Sequence, residues 1–342
     1  MMHASKDLFG FDLPDQARPV NVASVPQRSP FRYPGGKTWF IPRLREWLRS
    51  RPCKPSLLIE PFAGGGIVSL TAAFENLTEN VLMVELDDEI AAVWDTITSG
   101  EGEWLSNQIL HFEMSKENAI KETQRIPQSR KEKAFQTIIK NRTLHGGILA
   151  AGSGFLKNGE AGKGILSRWY PSTLAKRIND ITHVLPRLRF EQGDAFDVLD
   201  KHKEDHDAVY FIDPPYTAGG KNAGSRLYTH SSVDHDTLFK KCSELAGDFI
   251  MTYDNSDEVK SFARKYSLQA KPIPMKNTHH AEMTELVIGR NLSWMDDTTR
   301  VCEFAPEYKI KMPNKAVDST ATRVTPPASS LRSGQESRHG QP

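Results

Sequence analysis

Four segments of this 342-residue chain end an apolar or turn-rich run on a residue that could do chemistry. The most specific is Ala208-Val-Tyr-Phe-Ile-Asp-Pro-Pro-Tyr216, where an apolar strand pattern delivers Asp213, Pro214, Pro215 and Tyr216 at its carboxyl end. Ligands of open α/β sheets bind at that edge. The prolines stiffen the loop and remove two N–H donors, leaving carbonyls as acceptors. A carboxylate, fixed carbonyls and an aromatic face together suit an amine on a planar base. The bland alternative is a Pro-stiffened turn.

In Leu57-Leu-Ile-Glu-Pro-Phe-Ala-Gly-Gly-Gly66 an apolar run ends at Glu60 and a glycine turn opens a helical pattern. Glycines permit a tight turn and close approach to a ligand, although plain turn chemistry explains such a run as well. The pattern is neither GxGxxG nor a P-loop. Val81-Leu-Met-Val-Glu-Leu86 places Glu85 21 residues beyond Gly64. At that spacing a doubly wound fold puts an acid on ribose hydroxyls. Phe31-Arg-Tyr-Pro-Gly-Gly-Lys37 also runs into a helical pattern, where Lys37 could reach a carboxylate at the helix start.

These residues need elements to hold them. Apolar runs predict strands at Leu57–Phe62, Val81–Leu86, Leu188–Gln192, Ala208–Asp213, Phe249–Tyr253, Leu268–Met275 and Glu285–Gly289. Helical patterns cover Thr38–Arg49, Glu89–Ile97, Pro171–Leu185, Asp234–Leu245 and Asp257–Lys265. Near-continuous apolar strands alternating with helices predict a mostly parallel α/β sheet covered on both faces. Residues 1–28 read as a loose arm. The Ser/Thr/Pro-rich stretch 311–342 has too few large apolar residues to order itself.

The interval 101–186 interrupts the rhythm with helical patterns and a Gly-rich run. Lys121 to Phe190 holds 14 Lys/Arg against 4 Asp/Glu, a net of +10 in a chain whose total is +1. A segregated basic block predicts an inserted module that meets a polyanion, the alternative being a solvated helical face. Balanced overall charge excludes a uniformly basic nucleic-acid coat. Cys53, Cys242 and Cys302 are few and scattered, so neither a disulfide framework nor a structural zinc site is expected. The start carries no secretory pattern and no run reaches the ~20 apolar residues of a membrane span, so a cytoplasmic protein is expected. His279-His280 reads as a loop pair, Asp234-His235-Asp236 and Asp87-Asp88-Glu89 as helix-start charges, and Trp39, Trp47 and Trp94 as core.

Together and in this order, the segments resemble the Dam-like family of N6-adenine-specific DNA methyltransferases. The resemblance lies in Tyr33-Pro-Gly-Gly-Lys37, Ile59-Glu-Pro-Phe-Ala-Gly-Gly-Gly66, Glu85, Gly193-Asp194 and Ile212-Asp-Pro-Pro-Tyr216, with Leu227-Tyr-Thr-His230 and Glu285-Leu-Val-Ile288 further on. It covers about residues 29–290. It implies a Rossmann-like class I methyltransferase with a seven-stranded, mostly parallel sheet. The catalytic domain would comprise 29–100 and 187–300, with a mainly helical target-recognition region inserted at 101–186. S-adenosylmethionine is the implied cofactor, with no metal. Tyr33 and Lys37 would meet its amino-acid end, Glu60, Phe62, Gly64 and Gly66 would pass beside it, Glu85 would hold the ribose and Asp194 would bond near the adenine. Asp213 would lie between cofactor and target base, with Pro214, Pro215 and Tyr216 completing the catalytic group. Lys140, Arg142, Lys157, Lys163 and Arg168 would touch DNA.

The implied partner is double-stranded DNA; the residues leave open a cognate restriction endonuclease, and no oligomer is required. Asn141-Arg142-Thr143 resembles the start of the family's DNA-reading segment, whereas the Gly-rich sequence after it departs from the pattern, and Glu85 stands where many relatives carry Asp. An amino-methyltransferase on RNA, cytosine N4 or a protein amide remains an alternative. A dead-site DNA binder is disfavoured by the intact Asp213–Tyr216 group, and a nicotinamide dehydrogenase by the missing GxGxxG.

Overall fold

The computed structural model describes residues 24–33, 35–150, 152–159, 162–216, 233–276 and 282–296. Seven strands follow the apolar runs: β1 (Leu57–Glu60), β2 (Asn80–Glu85), β3 (Leu188–Gln192), β4 (Ala208–Ile212), β5 (Asp248–Asp254), β6 (Gln269–Lys276) and β7 (Glu282–Gly289). They form one sheet in the order β3-β2-β1-β4-β5-β7-β6. Strands β1 to β5 are parallel to one another, and β7 runs antiparallel between β5 and β6. Pro272 and Pro274 fall on β6, an edge strand, where a missing N–H is tolerated.

The strands are apolar on both faces because helices cover both. Leu58, Val81, Met83, Val209, Phe211, Ile250 and Val287 face one core, and Ile59, Leu82, Val84, Tyr210, Ile212, Met251 and Ile288 face the other. The first core receives α1 (Ile41–Arg49), α2 (Ile67–Phe74) and α3 (Asp88–Thr96), with Trp39, Trp47 and Trp94 all buried in it. The second receives α8 (Ala195–Lys201), α9 (His235–Glu244) and α10 (Asp257–Lys265). Asp87, Asp194, Asp234 and Ser256 cap four of these helices through side-chain oxygens. Thus Asp234 does serve as a helix cap.

Between β2 and β3 lie α4 (Gly102–His111), α5 (Lys116–Gln124), α6 (Arg130–Thr143) and α7 (Pro171–Thr182). Their apolar residues Leu105, Ile109, Ile138, Ile139, Leu174 and Ile178 join the same core as Trp94 and Met83. The basic block therefore shares the sheet's core. Much of its charge is spent within the molecule. Arg130 pairs with Asp88 at 2.5 Å, Lys133 pairs with the same Asp88, Lys140 with Glu89, and Lys131 with Glu101 at 3.0 Å. An acidic α3 and a basic α6 thus form a seam. The described end of the expected arm is anchored as well: Val25 is buried, and Arg28 stacks 4.4 Å above the Phe74 ring beside Glu75. Cys53 and Cys242 are free thiols, and Cys302 lies outside the described residues. Among the described residues no helix is long and apolar enough to cross a membrane.

Candidate active site

The carboxyl ends of β1, β2 and β4 open onto one cleft, where the strand order turns back across the first strand. The cleft encloses ≈ 1160 Å³, its open mouth included. Glu60, Glu85, Asp87, Asp194 and Asp213 line it, and Lys37 is the one basic side chain among its described lining. Phe62, Ile90, Leu149 and Phe196 supply apolar wall.

The glycine turn after β1 is built for close approach. Gly64 and Gly66 have φ of 47° and 64°, in the left-handed region. A Cβ at Gly64 would stand 2.5 Å from the Tyr33 ring, and one at Gly66 would stand 2.6 Å from Met83 and 2.8 Å from Trp94. Tyr33 therefore packs directly over the turn. Trp94 Nε1 donates to Gly64 O at 2.8 Å, tying the turn to α3. Glu85 accepts Gly64 N at 2.8 Å on one oxygen and Asp87 N at 2.9 Å on the other. Burial pushes its carboxyl up to about 7. Glu60, deeper still, accepts Ser69 N at 2.9 Å and the Ser69 hydroxyl, and burial pushes it up to about 8. Asp194 caps α8 through Oδ1, which accepts Phe196 N at 2.7 Å, while lining the cleft.

At the end of β4, Asp213 Oδ1 gathers three donors: Lys37 Nζ at 2.9 Å, the Tyr216 hydroxyl at 2.9 Å and Thr252 Oγ1 at 2.8 Å. Among the described residues none donates to Oδ2. Lys37 is buried, donates to Gly35 O at 3.0 Å, and lies 4.9 Å from the centre of the Tyr216 ring. Its ammonium thus meets the catalytic-loop acid, a contact the sequence does not announce. Tyr216 stacks on Tyr253 at 5.7 Å, and Tyr253 OH lies 3.0 Å from His235 Nδ1. Burial, then Asp213 and Glu285, push the Tyr216 hydroxyl well up.

The structure gathers Tyr33, Lys37, Glu60, Phe62, Gly66, Glu85, Asp194, Asp213 and Pro215 around the cleft, with Gly64 in its turn and Tyr216 behind Asp213. The basic candidates do not form one surface. Arg142 is buried and donates to Pro30 O, so its guanidinium braces the segment before Tyr33 and is not presented to a phosphate. Burial and Arg177, Arg32 and Arg168 pull it down to about 9. Lys140 is held by Glu89. Lys157 and Lys163 are exposed, and Arg168 is half-buried. Site residues that sequence reasoning missed are Glu285, Thr252, Tyr253, His235 and Phe196. Only Glu285 carried a signal, as a carboxylate inside the otherwise apolar run Glu285-Leu-Val-Ile288. His279, His280 and Leu227 to His230 lie outside the described residues.

The sheet order, with its antiparallel β7, and the cleft at the carboxyl ends of β1, β2 and β4 define a Rossmann-like class I methyltransferase. The sequence pattern described as "D12 class N6 adenine-specific DNA methyltransferase" matches residues 33–272, and the chain belongs to that family. Among solved structures, the chain is similar to the N-terminal domain of human METTL16 in complex with SAH, at 11% identity and TM-score 0.37, covering 82% of this chain and 76% of that one. It is also similar to the rRNA methyltransferase AviRa from Streptomyces viridochromogenes, at 13% identity and TM-score 0.34, covering 81% and 95%. A methyltransferase from Geobacter sulfurreducens matches at 11% identity and TM-score 0.32, covering 73% and 78%. No curated protein sequence matches.

Proposed function

We propose that this enzyme transfers the methyl group of S-adenosylmethionine to the exocyclic N6 of an adenine in double-stranded DNA. The observation that carries the reading is Asp213. Its Oδ1 is occupied by three internal donors, while Oδ2 has none among the described residues, at the rim of an acid-lined cleft. The cleft's donor set fits the cofactor. Each Glu85 oxygen accepts one backbone N–H and retains capacity for a ribose hydroxyl. The aromatic and aliphatic wall of Ile90 and Phe196 suits a planar ring, and Asp87 and Asp194 in the lining suit a cation. Tyr33, Glu60, Phe62, Gly64, Gly66, Glu85 and Asp194 would hold it.

When bound, S-adenosylmethionine supplies a methyl group already activated by its sulfonium. The protein's share is alignment and electrostatics. An adenine amino group delocalises its lone pair into the ring and is a poor nucleophile. Asp213 Oδ2 and the Pro214 carbonyl would accept its two hydrogens, favouring a more tetrahedral nitrogen. A paired, stacked base cannot reach this cleft, so the target nucleotide would be flipped out of the duplex. Tyr216, stacked on Tyr253, would hold Asp213 in place beneath it. Of the five basic candidates, Lys157 and Lys163 are the exposed ones that could meet phosphates.

Mass spectrometry of nucleosides from duplex DNA incubated with protein and S-adenosylmethionine tests the reading, with D213A as control. N6-methyladenine from the wild type alone supports it. Cofactor binding without any methylated nucleoside overturns the DNA assignment. N4-methylcytosine, methylated RNA or a methylated amide moves the activity to another planar amine.

A further inference from the structure

The Tyr216 hydroxyl lies 2.9 Å from Asp213 Oδ1 and 3.0 Å from Glu285 Oε2. A phenol has one proton and donates to one carboxyl at a time. If both carboxyls were ionised, one oxygen would face a lone pair at hydrogen-bond distance. The other donors identify the charged one. Lys37 Nζ is 2.9 Å from Asp213 Oδ1 and 3.7 Å from Glu285 Oε2, and Thr252 Oγ1 donates to Asp213 Oδ1 at 2.8 Å. One lysine balances one carboxylate. Glu285 arrives on the antiparallel strand β7, whose early residues lie beside the end of β5, and its cross-strand partner there is Asp254, another acid. Among the described residues, the titratable and charged groups facing Glu285 are thus Lys37, Asp213, Tyr216 and Asp254, while Ile273 opposes it from β6. Burial also favours the neutral form of Glu285.

We propose that Glu285 is a positioning residue that keeps its proton in the working site, donates it to Tyr216 Oη, and thereby aims the Tyr216 proton at Asp213. The chain Glu285–Tyr216–Asp213 then runs in one direction. It holds Asp213 ionised with Oδ1 saturated, so that Oδ2 is the oxygen turned toward a substrate amine. What Oδ2 accepts rests on the methyl-transfer reading above. Where the proton resides does not.

The test uses the full chain labelled with 13Cδ-glutamate. The Glu285 signal, identified by its loss in E285Q, stands at a protonated-carboxyl position near neutral pH. A signal at the ionised position throughout the neutral range overturns the proposal. Single-turnover transfer supplies the second arm. E285A slows it by on the order of tenfold to a hundredfold, the scale of a misplaced catalytic group, with cofactor affinity retained. E285Q, whose amide N–H can donate to Tyr216 as a protonated carboxyl does, recovers most of that loss. It also removes the alkaline decline that the wild type shows as Glu285 deprotonates. E285Q as slow as E285A would overturn the proposal. If E285A does not fold, the carbon signal and the pH profile of E285Q decide. A wild type that binds cofactor yet methylates no adenine defeats the proposed function, and the carbon signal still decides the protonation of Glu285.

Discussion

Lysines meet aspartates in two very different neighbourhoods of this molecule. At the strand ends, Lys37 and Asp213 retain 4% and 20% of their side-chain exposure, and a second acid and a tyrosine crowd the pair. Along the α3–α6 seam, Lys133 and Asp88 retain 34% and 52%. The same ion pair has different consequences in each. In the seam, water and salt screen the attraction, and its net contribution is small. At the strand ends, desolvation makes unpaired charge expensive, so each donor fixes the protonation and orientation of its neighbour. One neighbourhood fastens a segment onto the core. The other gathers three donors on one oxygen of a cleft-lining acid.

Breaking the buried neighbourhood has the largest expected effect. D213A reduces methyl transfer by about a thousandfold or more, because the group facing the reacting nitrogen is gone. DNA binding, measured by fluorescence anisotropy, stays within a few-fold. Retained turnover would remove Asp213 from the chemistry. Next, E85A weakens cofactor binding severalfold to about tenfold, since a typical hydrogen bond contributes ~0.5–1.5 kcal/mol. Unchanged calorimetric affinity would contradict the ribose contact.

A pH series reads the same burial without substrate. Glu60 and Glu85 are raised from 4.5 to about 8 and about 7 in the folded chain. Between these values the folded state holds protons that the unfolded state has released, so stability falls as pH rises. Melting of the ligand-free protein therefore shifts downward from about pH 5 to about pH 8.5, and E60Q flattens the shift. A wild-type curve that rises through this window contradicts the buried, raised carboxyls.

The basic segment sharpens the comparison further. Replacing the exposed Lys157 and Lys163 by Gln lowers the salt dependence of DNA binding by about 0.9 for each phosphate no longer neutralised. Replacing the seam residue Lys133 leaves that slope unchanged. The reverse result would move the DNA face onto α6. The smallest effect belongs to the seam itself: K133Q costs ~0.2–1 kcal/mol in denaturant unfolding, and the cost shrinks in high salt. Lys133 and Arg130 hold the Asp88 carboxyl down to about 2 from 3.8, so the seam's contribution is present above that range and is lost as pH falls through it.

Much of this protein was legible in its residues. All seven strands fall within a few positions of the runs read from sequence; the central strands such as β4 are continuously apolar because helices cover both faces, whereas the edge strands β3 and β6 alternate with polar residues. Glycines at 64 and 66 announced a turn that only they can make there, given the ring and tryptophan that stand where a side chain would go. Asp213 to Tyr216 were legible as a polar group at a strand end, and the structure places Asp213 and Pro215 in the lining of the cleft.

Tertiary structure alone decided partners. Charge counting could not show that Arg130, Lys133 and Lys140 answer acids on α3, because those acids lie 42 or more positions away in sequence. Nor could it show that Arg142 is buried against Pro30. Lys37 and Glu285 are separated by nearly the whole catalytic domain, and they meet at Asp213 because β7 runs backward beside β5. Local pattern specifies the type of each element and the kind of chemistry at its end. Which charges are desolvated together depends on strand order and direction, and these determine where a proton resides.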